Sequence, residues 1–257
     1  MKQASMSFSN VINRIQSRYR RDVSRRCGRR MVELRPKSPI VSFTFDDFPR
    51  SALHEGGAIL RRFGFLGTYY VSLGLMDRDL PAGRAFSADD LHQTIADGHE
   101  LGCHTFAHCN AWETKPEVFE QSILDNRRAL EKLAPGAAFK SLSFPIDWPR
   151  PQTKRRAARH FSCCRGGGLS FNAGWTDANN LQACFLEKHR DHPEAMMQLI
   201  EANSRACGWL IFATHDVCNS PTPFGCTPDL FEAVVQTVSK SGARVLPIAT
   251  AWEAAQA

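Results

Sequence analysis

The feature that most constrains the fold of this chain is a repeated alternation of short strand-like runs with longer helix-like stretches. The strand-like runs are Ile40 to Phe45, Thr68 to Ser72, Glu100 to Cys103, Ser141 to Phe144, Cys184 to Glu187, Trp209 to Thr214 and Ala243 to Ile248. Between several of them lie Ser51 to Phe63, Ala88 to Ala96, Pro116 to Leu133, Pro193 to Ala206 and Pro228 to Lys240, each long enough for a helix. A parallel neighbour requires a crossover of about that length, so the pattern predicts parallel strands with helices outside them. A barrel is the natural closure, and an open α/β sheet is the other arrangement that the same pattern allows. With 257 residues, 43% of them hydrophobic, one full core can be buried. No repeat and no Gly/Ser linker divides the chain.

Two of these strand-like runs end in unusual chemistry. Ile40 to Phe45 stops at Asp46-Asp47, followed by Phe48-Pro49. Neighbouring side chains on extended backbone point to opposite sides, so a turn is needed for both carboxylates to reach one centre. One can then bind a metal while the other handles a proton. Glu100 to Cys103 leads into His104-Thr105-Phe106-Ala107-His108, whose two histidines stand four apart. On a helical turn that spacing puts both imidazoles on one face, a reach suited to chelating one ion. A carboxylate and two histidines leave coordination positions open, which distinguishes a catalytic metal site from a structural one. Each motif alone has an ordinary explanation: Asp-Asp as a turn or helix cap, His-x-x-x-His as a solvated or packed pair. Their combination is much more specific. Asp46, Asp47, His104 and His215 also all lie just beyond strand-like runs, the end at which a β/α barrel carries its functional face.

From Ile40 to Ala251 these residues resemble the polysaccharide deacetylase family of metal-dependent esterases and amidases. In that family a Thr-Phe-Asp-Asp segment supplies a base and then a metal ligand, and a His-(Ser/Thr)-x-x-His segment supplies two further ligands. The resemblance implies Asp46 as base and Asp47, His104 and His108 as ligands of one divalent ion, zinc first, with cobalt, nickel or manganese as substitutes. Ala213-Thr214-His215 resembles the family's Leu-x-His segment, which implies His215 as general acid. It implies an α/β fold, a distorted (β/α) barrel of about seven parallel strands with outer helices, spanning 36–257. The activity implied is removal of N-acetyl groups from an amino-sugar oligo- or polysaccharide. A metal-dependent amidohydrolase on a non-sugar amide, or a catalytically weakened glycan-binding relative, would share much of the same residue set.

The chain departs from the family pattern at three places. Ser143-Phe144-Pro145 stands where the family keeps an arginine that orients the base, and Arg165, before Gly166-Gly167-Gly168, is the candidate replacement. Ala213 replaces the leucine of Leu-x-His, so Ala213, Phe48 and Pro145 are candidates for the substrate pocket. No motif supplies the aspartate that commonly partners the acid histidine, and Asp177 is the candidate for that place. The glycine run lacks the Lys-Ser/Thr of a phosphate loop, and no Gly-x-Ser-x-Gly elbow occurs. The segment from Val217 to Thr227, rich in Pro and Gly, is expected to form a loop over the pocket mouth.

Residues 1–35 form a basic extension. Arg14, Arg18, Arg20, Arg21, Arg25, Arg26, Arg29 and Arg30 precede the first long strand and supply most of a net charge of +6. Phe8, Ile12, Ile15 and Tyr19 recur at helical spacing, so Ser7 to Arg21 is expected to be a basic amphipathic helix, either packed beneath the barrel or touching an anionic membrane surface. No nucleic-acid recognition motif accompanies the charge. The start lacks the apolar core of a signal peptide, and nine cysteines follow no disulfide framework, so a cytoplasmic setting is expected. Oligomeric state is not legible in the sequence.

Overall fold

The computed structural model describes residues 8–146 and 148–256 of the chain, with side chains from Arg14 onward. Phe8 and Ile12, named above for their spacing, have side chains outside the described set. A helix, α1 (Phe8–Arg26), leads to β1 (Met31–Leu34) and β2 (Ile40–Phe45). A π-helical turn (Ala52–Gly57) runs into α2 (Ala58–Arg62), followed by β3 (Thr68–Val71) and a small hairpin of β4 (Asp79–Leu80) and β5 (Gly83–Arg84). Next come α3 (Ala88–Ala96), β6 (Glu100–Cys103), α4 (Pro116–Leu133), β7 (Leu142–Ser143), α5 (Pro151–Ala157), β8 (Cys164–Arg165) and β9 (Gly174–Asp177). The chain ends with β10 (Cys184–Phe185), α6 (Pro193–Ala206), β11 (Trp209–Thr214), α7 (Pro228–Lys240), β12 (Arg244–Val245) and α8 (Ile248–Ala254).

The main sheet runs in the order β10-β11-β2-β3-β6-β7-β8, with β12 also beside β2, and every pairing in it is parallel. Its two edges approach each other through isolated parallel bridges, Arg165↔Leu181 and Gly168↔Cys184. The result is the distorted β/α barrel that the alternation predicts, curled around a lumen and joined irregularly on one side. Helix signals are local and clear. Ser87 caps α3 through a reciprocal capping box with Asp90, and Thr227 caps α7 ahead of Pro228.

Alternation along each strand sorts the core into two layers. Val41, Phe43 and Phe45 face outward and pack with Phe231, Val234 and Leu60 of the surrounding helices. Ile40, Tyr70, Trp209, Ile211 and Ala213 face the lumen, which is closed at its base by Ile248 and Trp252 of α8. Gly102 makes room there, because a Cβ at that position would lie 2.3 Å from the Tyr70 ring.

Several boundaries differ from the expected ones. Cys184 to Glu187 is a strand only as far as Phe185, and Leu186–His189 forms a 3-10 turn. Ala243 to Ile248 is a strand only at Arg244–Val245, because Pro247 cannot donate to a ladder and instead opens α8. The basic helix reaches Arg26 rather than Arg21, and β1 joins β9 in an antiparallel pair, Met31↔Asp177 to Leu34↔Gly174. Among the described residues no helix is long and apolar enough to cross a membrane.

Candidate active site

The lumen-facing register carries the reactive groups to one end of the barrel. Asp46 continues the inward series Ile40, Ser42, Thr44, His104 continues Glu100 and Gly102, and His215 continues Trp209, Ile211, Ala213. Parallel pairing brings these strand ends together, and the Asp46 N–H donates to the Thr214 carbonyl at 2.9 Å. Beyond the strands the backbone bends sharply. Asp47, Phe48, Thr105 and His108 all have positive φ, between 44° and 59°. The His104 to His108 segment is therefore an irregular loop, not the helical turn its spacing suggests. It is held by Ser122 Oγ, which accepts the N–H groups of Phe106 and Ala107, and by Thr105 Oγ1, which accepts that of Cys109 at 2.9 Å.

Asp47, His104 and His108 each present one donor atom, all within 4.8 Å of one another. Asp47 Oδ1 stands 2.9 Å from His108 Nε2 and 3.5 Å from His104 Nε2. For ligands about 2.0–2.1 Å from a tetrahedral ion, neighbouring donors are separated by roughly 3.3 Å. Asp47 Oδ1 is buried with both imidazole Nε2 atoms turned toward it, so the three donors converge on a shared point. His104 Nδ1 faces the Ser143 carbonyl at 2.9 Å, which keeps a proton on Nδ1 and leaves the Nε2 lone pair free. Burial pushes the His104 pKa down to about 4. Burial also favours neutral Asp47, but the two imidazoles outweigh it and hold that carboxylate ionised. The donor set fits one divalent cation with open coordination positions.

Asp46 lies beside this centre, 4% exposed, and its partner is Arg165 on β8. Arg165 is 1% exposed, donates through Nη2 to Asp46 Oδ1 and at 2.5 Å to Ser143 Oγ, and donates through Nη1 to the Gly166 carbonyl at 3.0 Å. Its guanidinium sits between two rings, 5.1 Å from the Tyr70 centroid and 5.4 Å from that of Phe185. Burial alone would raise the Asp46 pKa, but the Arg165 charge, with His104 and His215, more than cancels it and keeps the carboxyl below its ordinary range. The cation beside Asp46 thus comes from β8, one strand further round than Ser143 of β7, and Ser143 instead supplies hydroxyl and carbonyl groups to both halves of the site.

His215 Nδ1 lies 3.1 Å from the Phe224 carbonyl, a geometry that fixes the ring and turns Nε2 away from that loop. The loop is clasped by Asp216, whose Oδ2 accepts the Thr222 N–H at 2.8 Å and whose Oδ1 accepts the Thr222 hydroxyl at 2.5 Å. Arg190 Nε donates to the Gly225 carbonyl at 2.9 Å from the other side. Asp177 is not near His215. It belongs to the β1–β9 pair, where Lys154 Nζ donates to Oδ2 at 2.5 Å and the N–H groups of Arg30 and Asn179 donate to Oδ1 at 2.9 and 3.0 Å. A further carboxyl, Glu187 on the 3-10 turn after β10, lies within the field of both His215 and Asp46. Burial pushes it up to about 7, and its Oε2 has no hydrogen-bond partner. Its signal in the sequence, an acid at the end of an apolar run, was present but shared with many surface positions.

A cavity of about 660 Å³ opens over Asp46, Asp47, His104, His108, Arg165 and His215 together. Its walls are largely apolar, from Leu75, Leu80, Phe144, Ile146, Phe185 and Phe224. The three residues expected to shape it lie elsewhere. Phe48 points into the core because of its φ of 44°, stacking on Phe86 at 5.0 Å and lying tilted 4.8 Å from Tyr69. Ala213 lies in the lumen among Ile211, Trp209 and Tyr70, while Pro145 is buried with its carbonyl accepting the Ala111 N–H at 3.3 Å. The Phe224 loop does reach the mouth, and Ser17 of α1 lines the opposite rim.

The polysaccharide deacetylase family profile matches residues 33–159. Solved structures of similar fold include a point variant of the peptidoglycan deacetylase PdaC from Bacillus subtilis, at 14% identity and a TM-score of 0.58, covering 86% of this chain and 93% of that one. A family 4 acetyl xylan esterase from Clostridium thermocellum, in complex with a cobalt ion, is 19% identical with a TM-score of 0.54, covering 83% of this chain and 89% of that one. A CE4 family pseudoenzyme from Bacillus anthracis is 11% identical with a TM-score of 0.57, covering 85% of this chain and 66% of that one. No curated protein matches the sequence.

Proposed function

We propose that the chain is a member of the polysaccharide deacetylase family and a metal-dependent hydrolase removing N-acetyl groups from an amino-sugar oligo- or polysaccharide. The observation that carries this reading is the convergence of an arginine-held carboxylate, an Asp-His-His donor set and a separate histidine on one cavity. Asp47, His104 and His108 would hold the ion, zinc first and cobalt as a substitute, the latter present in the acetyl xylan esterase complex. When bound, the ion supplies Lewis-acid polarisation of the amide carbonyl and acidifies water. Asp46, kept ionised by Arg165, accepts the proton of the attacking water. His215, its Nδ1 engaged by the Phe224 carbonyl, delivers a proton from Nε2 to the nitrogen as the C–N bond breaks. Acetate and a free amine leave. Without that proton the leaving group would be an amide anion, which is why a general acid is needed on the far side of the bond.

A second reading, hydrolysis of an acyl amide on a non-sugar substrate, is favoured by the apolar cavity walls from Leu75 to Phe224. The third, a glycan binder without turnover, is represented by the pseudoenzyme of similar fold. One panel separates all three. The metal-loaded protein is assayed for acetate release from N-acetylated glycans and for amine release from small linear and cyclic amides, beside Asp46→Asn and His104→Ala. We expect acetate from the glycans, a loss of about 10²–10⁴-fold in turnover with retained metal for Asp46→Asn, and loss of metal for His104→Ala. Equal turnover by Asp46→Asn and the parent protein would remove Asp46 as base.

A further inference from the structure

Beside the cavity lies a second recess of about 210 Å³, and Gly167 lines both. Its walls include Arg25 from the end of α1, Arg29 just beyond it, Trp175 of β9, and Asn180 and Gln182. Both arginines are exposed, and among the described residues neither forms an ion pair with a carboxylate. The acid that shares the recess, Asp177, is already engaged: Lys154 occupies Oδ2 and two backbone N–H groups occupy Oδ1. The recess therefore holds two arginines without a carboxylate partner among the described residues, beside a carboxylate that is already neutralised.

The other walls of the recess are polar and aromatic. Asn180 is held in place, its Nδ2 donating to Ser24 Oγ at 3.3 Å and its Oδ1 packed against Gly166. Trp175 is 67% exposed, an indole left in solvent beside cations and amides. A flat aromatic face suits the C–H face of a sugar ring, amides suit its hydroxyls, and guanidinium groups suit an anionic oxygen pair. The recess also adjoins the catalytic cavity, since Gly167 lines both. The Arg25 guanidinium lies 5.2 Å from the centroid of Trp148, a ring that lines the catalytic cavity, and a Cβ at Gly167 would come no nearer than 3.6 Å to that ring.

We propose that this recess binds an anionic group, a phosphate or a carboxylate, carried by the part of the substrate that extends from the catalytic cavity past Gly167. The inference rests on the deacetylase reading, since it names the class of N-acetylated sugar that the site takes: one bearing negative charge. The contacts are solvent-exposed, so the effect weakens as salt rises.

The test uses the intact protein and the double variant Arg25→Ala/Arg29→Ala, both checked for the same thermal midpoint. Inorganic phosphate and glucuronate, standing for the two sources of charge, are titrated into each by calorimetry at low salt. We expect one of them to bind the parent at least about tenfold more tightly than the double variant. The ratio of kcat/KM for a phosphate- or uronate-bearing N-acetylated oligosaccharide to that for its neutral counterpart should fall by the same order. Equal binding in both proteins, binding in neither, or an unchanged ratio would overturn the proposal. If no glycan yields acetate, the deacetylase reading fails by itself, and the titrations still decide whether the recess is an anion site.

Discussion

Arg165 and Asp46 depend on each other because both are almost wholly buried, 1% and 4% exposed. Removing the guanidinium in Arg165→Ala strands a buried carboxylate, and urea unfolding should show a loss of about 3–5 kcal/mol. Asp46→Asn leaves a neutral amide beside a cation that still has Ser143 and the Gly166 carbonyl, so it should cost less; the reverse order would mean that Arg165 is not what holds Asp46. Glu187 gives a pH signature. Its carboxyl titrates at about 7 in the fold against 4.5 ordinarily, so the folded state prefers the protonated form. Its contribution is fully present below pH 4.5 and is lost as pH rises through about 7. Thermal midpoints across that window should decline for the parent and decline less for Glu187→Gln; parallel curves would assign the slope to another group. The sequence makes Asp46, Asp47, His104 and His215 legible as a group because each stands at a strand end; a period of two decides direction for all but Asp47, which a left-handed turn brings round. Phe48 is not legible in that way, since a backbone φ of 44° turns its ring inward and no residue preference encodes that. Asp177 misleads for a different reason: its partners, Lys154 and the Arg30 N–H, come from 23 and 147 positions away.

At the scale of elements, α1 is fastened at its C-terminal end. Lys154 of α5, fully buried, donates to the Ser24 carbonyl at 2.7 Å and the Cys27 carbonyl at 3.1 Å while pairing with Asp177. Further along, Tyr19 meets Trp112 edge-on at 6.1 Å and Arg20 pairs with Glu113. Lys154→Met should loosen the helix and leave Asp177 without its cation. Limited proteolysis should then cut within residues 14–30, where the parent resists, and stability should fall by about 3–5 kcal/mol. Unaltered cleavage would show that the aromatic and surface contacts suffice to hold α1. The helix itself was legible from the spacing of Ile15 and Tyr19, yet both are more than 60% exposed, so that spacing does not mark the face that packs on the barrel. What fastens the helix is a lysine from a stretch with no apolar period to announce it.

Over the whole molecule, the alternation of strands and helices was enough to indicate parallel pairing, but not closure. Closure rests on two single-residue bridges, at Arg165 and Gly168, that no run of β-formers marks. The family profile likewise stops at residue 159, so Arg165, Glu187 and His215, which complete the site, lie in the part of the chain beyond it. Metal should act on this whole body, since the proposed ligands come from the ends of two strands. Zinc or cobalt at a hundred times its dissociation constant should stabilise the folded state by about 2.7 kcal/mol, and chelation should reverse it. The thermal midpoint of His104→Ala should not respond; an equal rise in that variant would place the ion elsewhere. The four left-handed residues at Asp47, Phe48, Thr105 and His108 have a further consequence. Such backbone is costly for a residue with a side chain, so the contacts around it, Ser122 Oγ among them, must hold it, and losing those contacts would displace the donor atoms themselves.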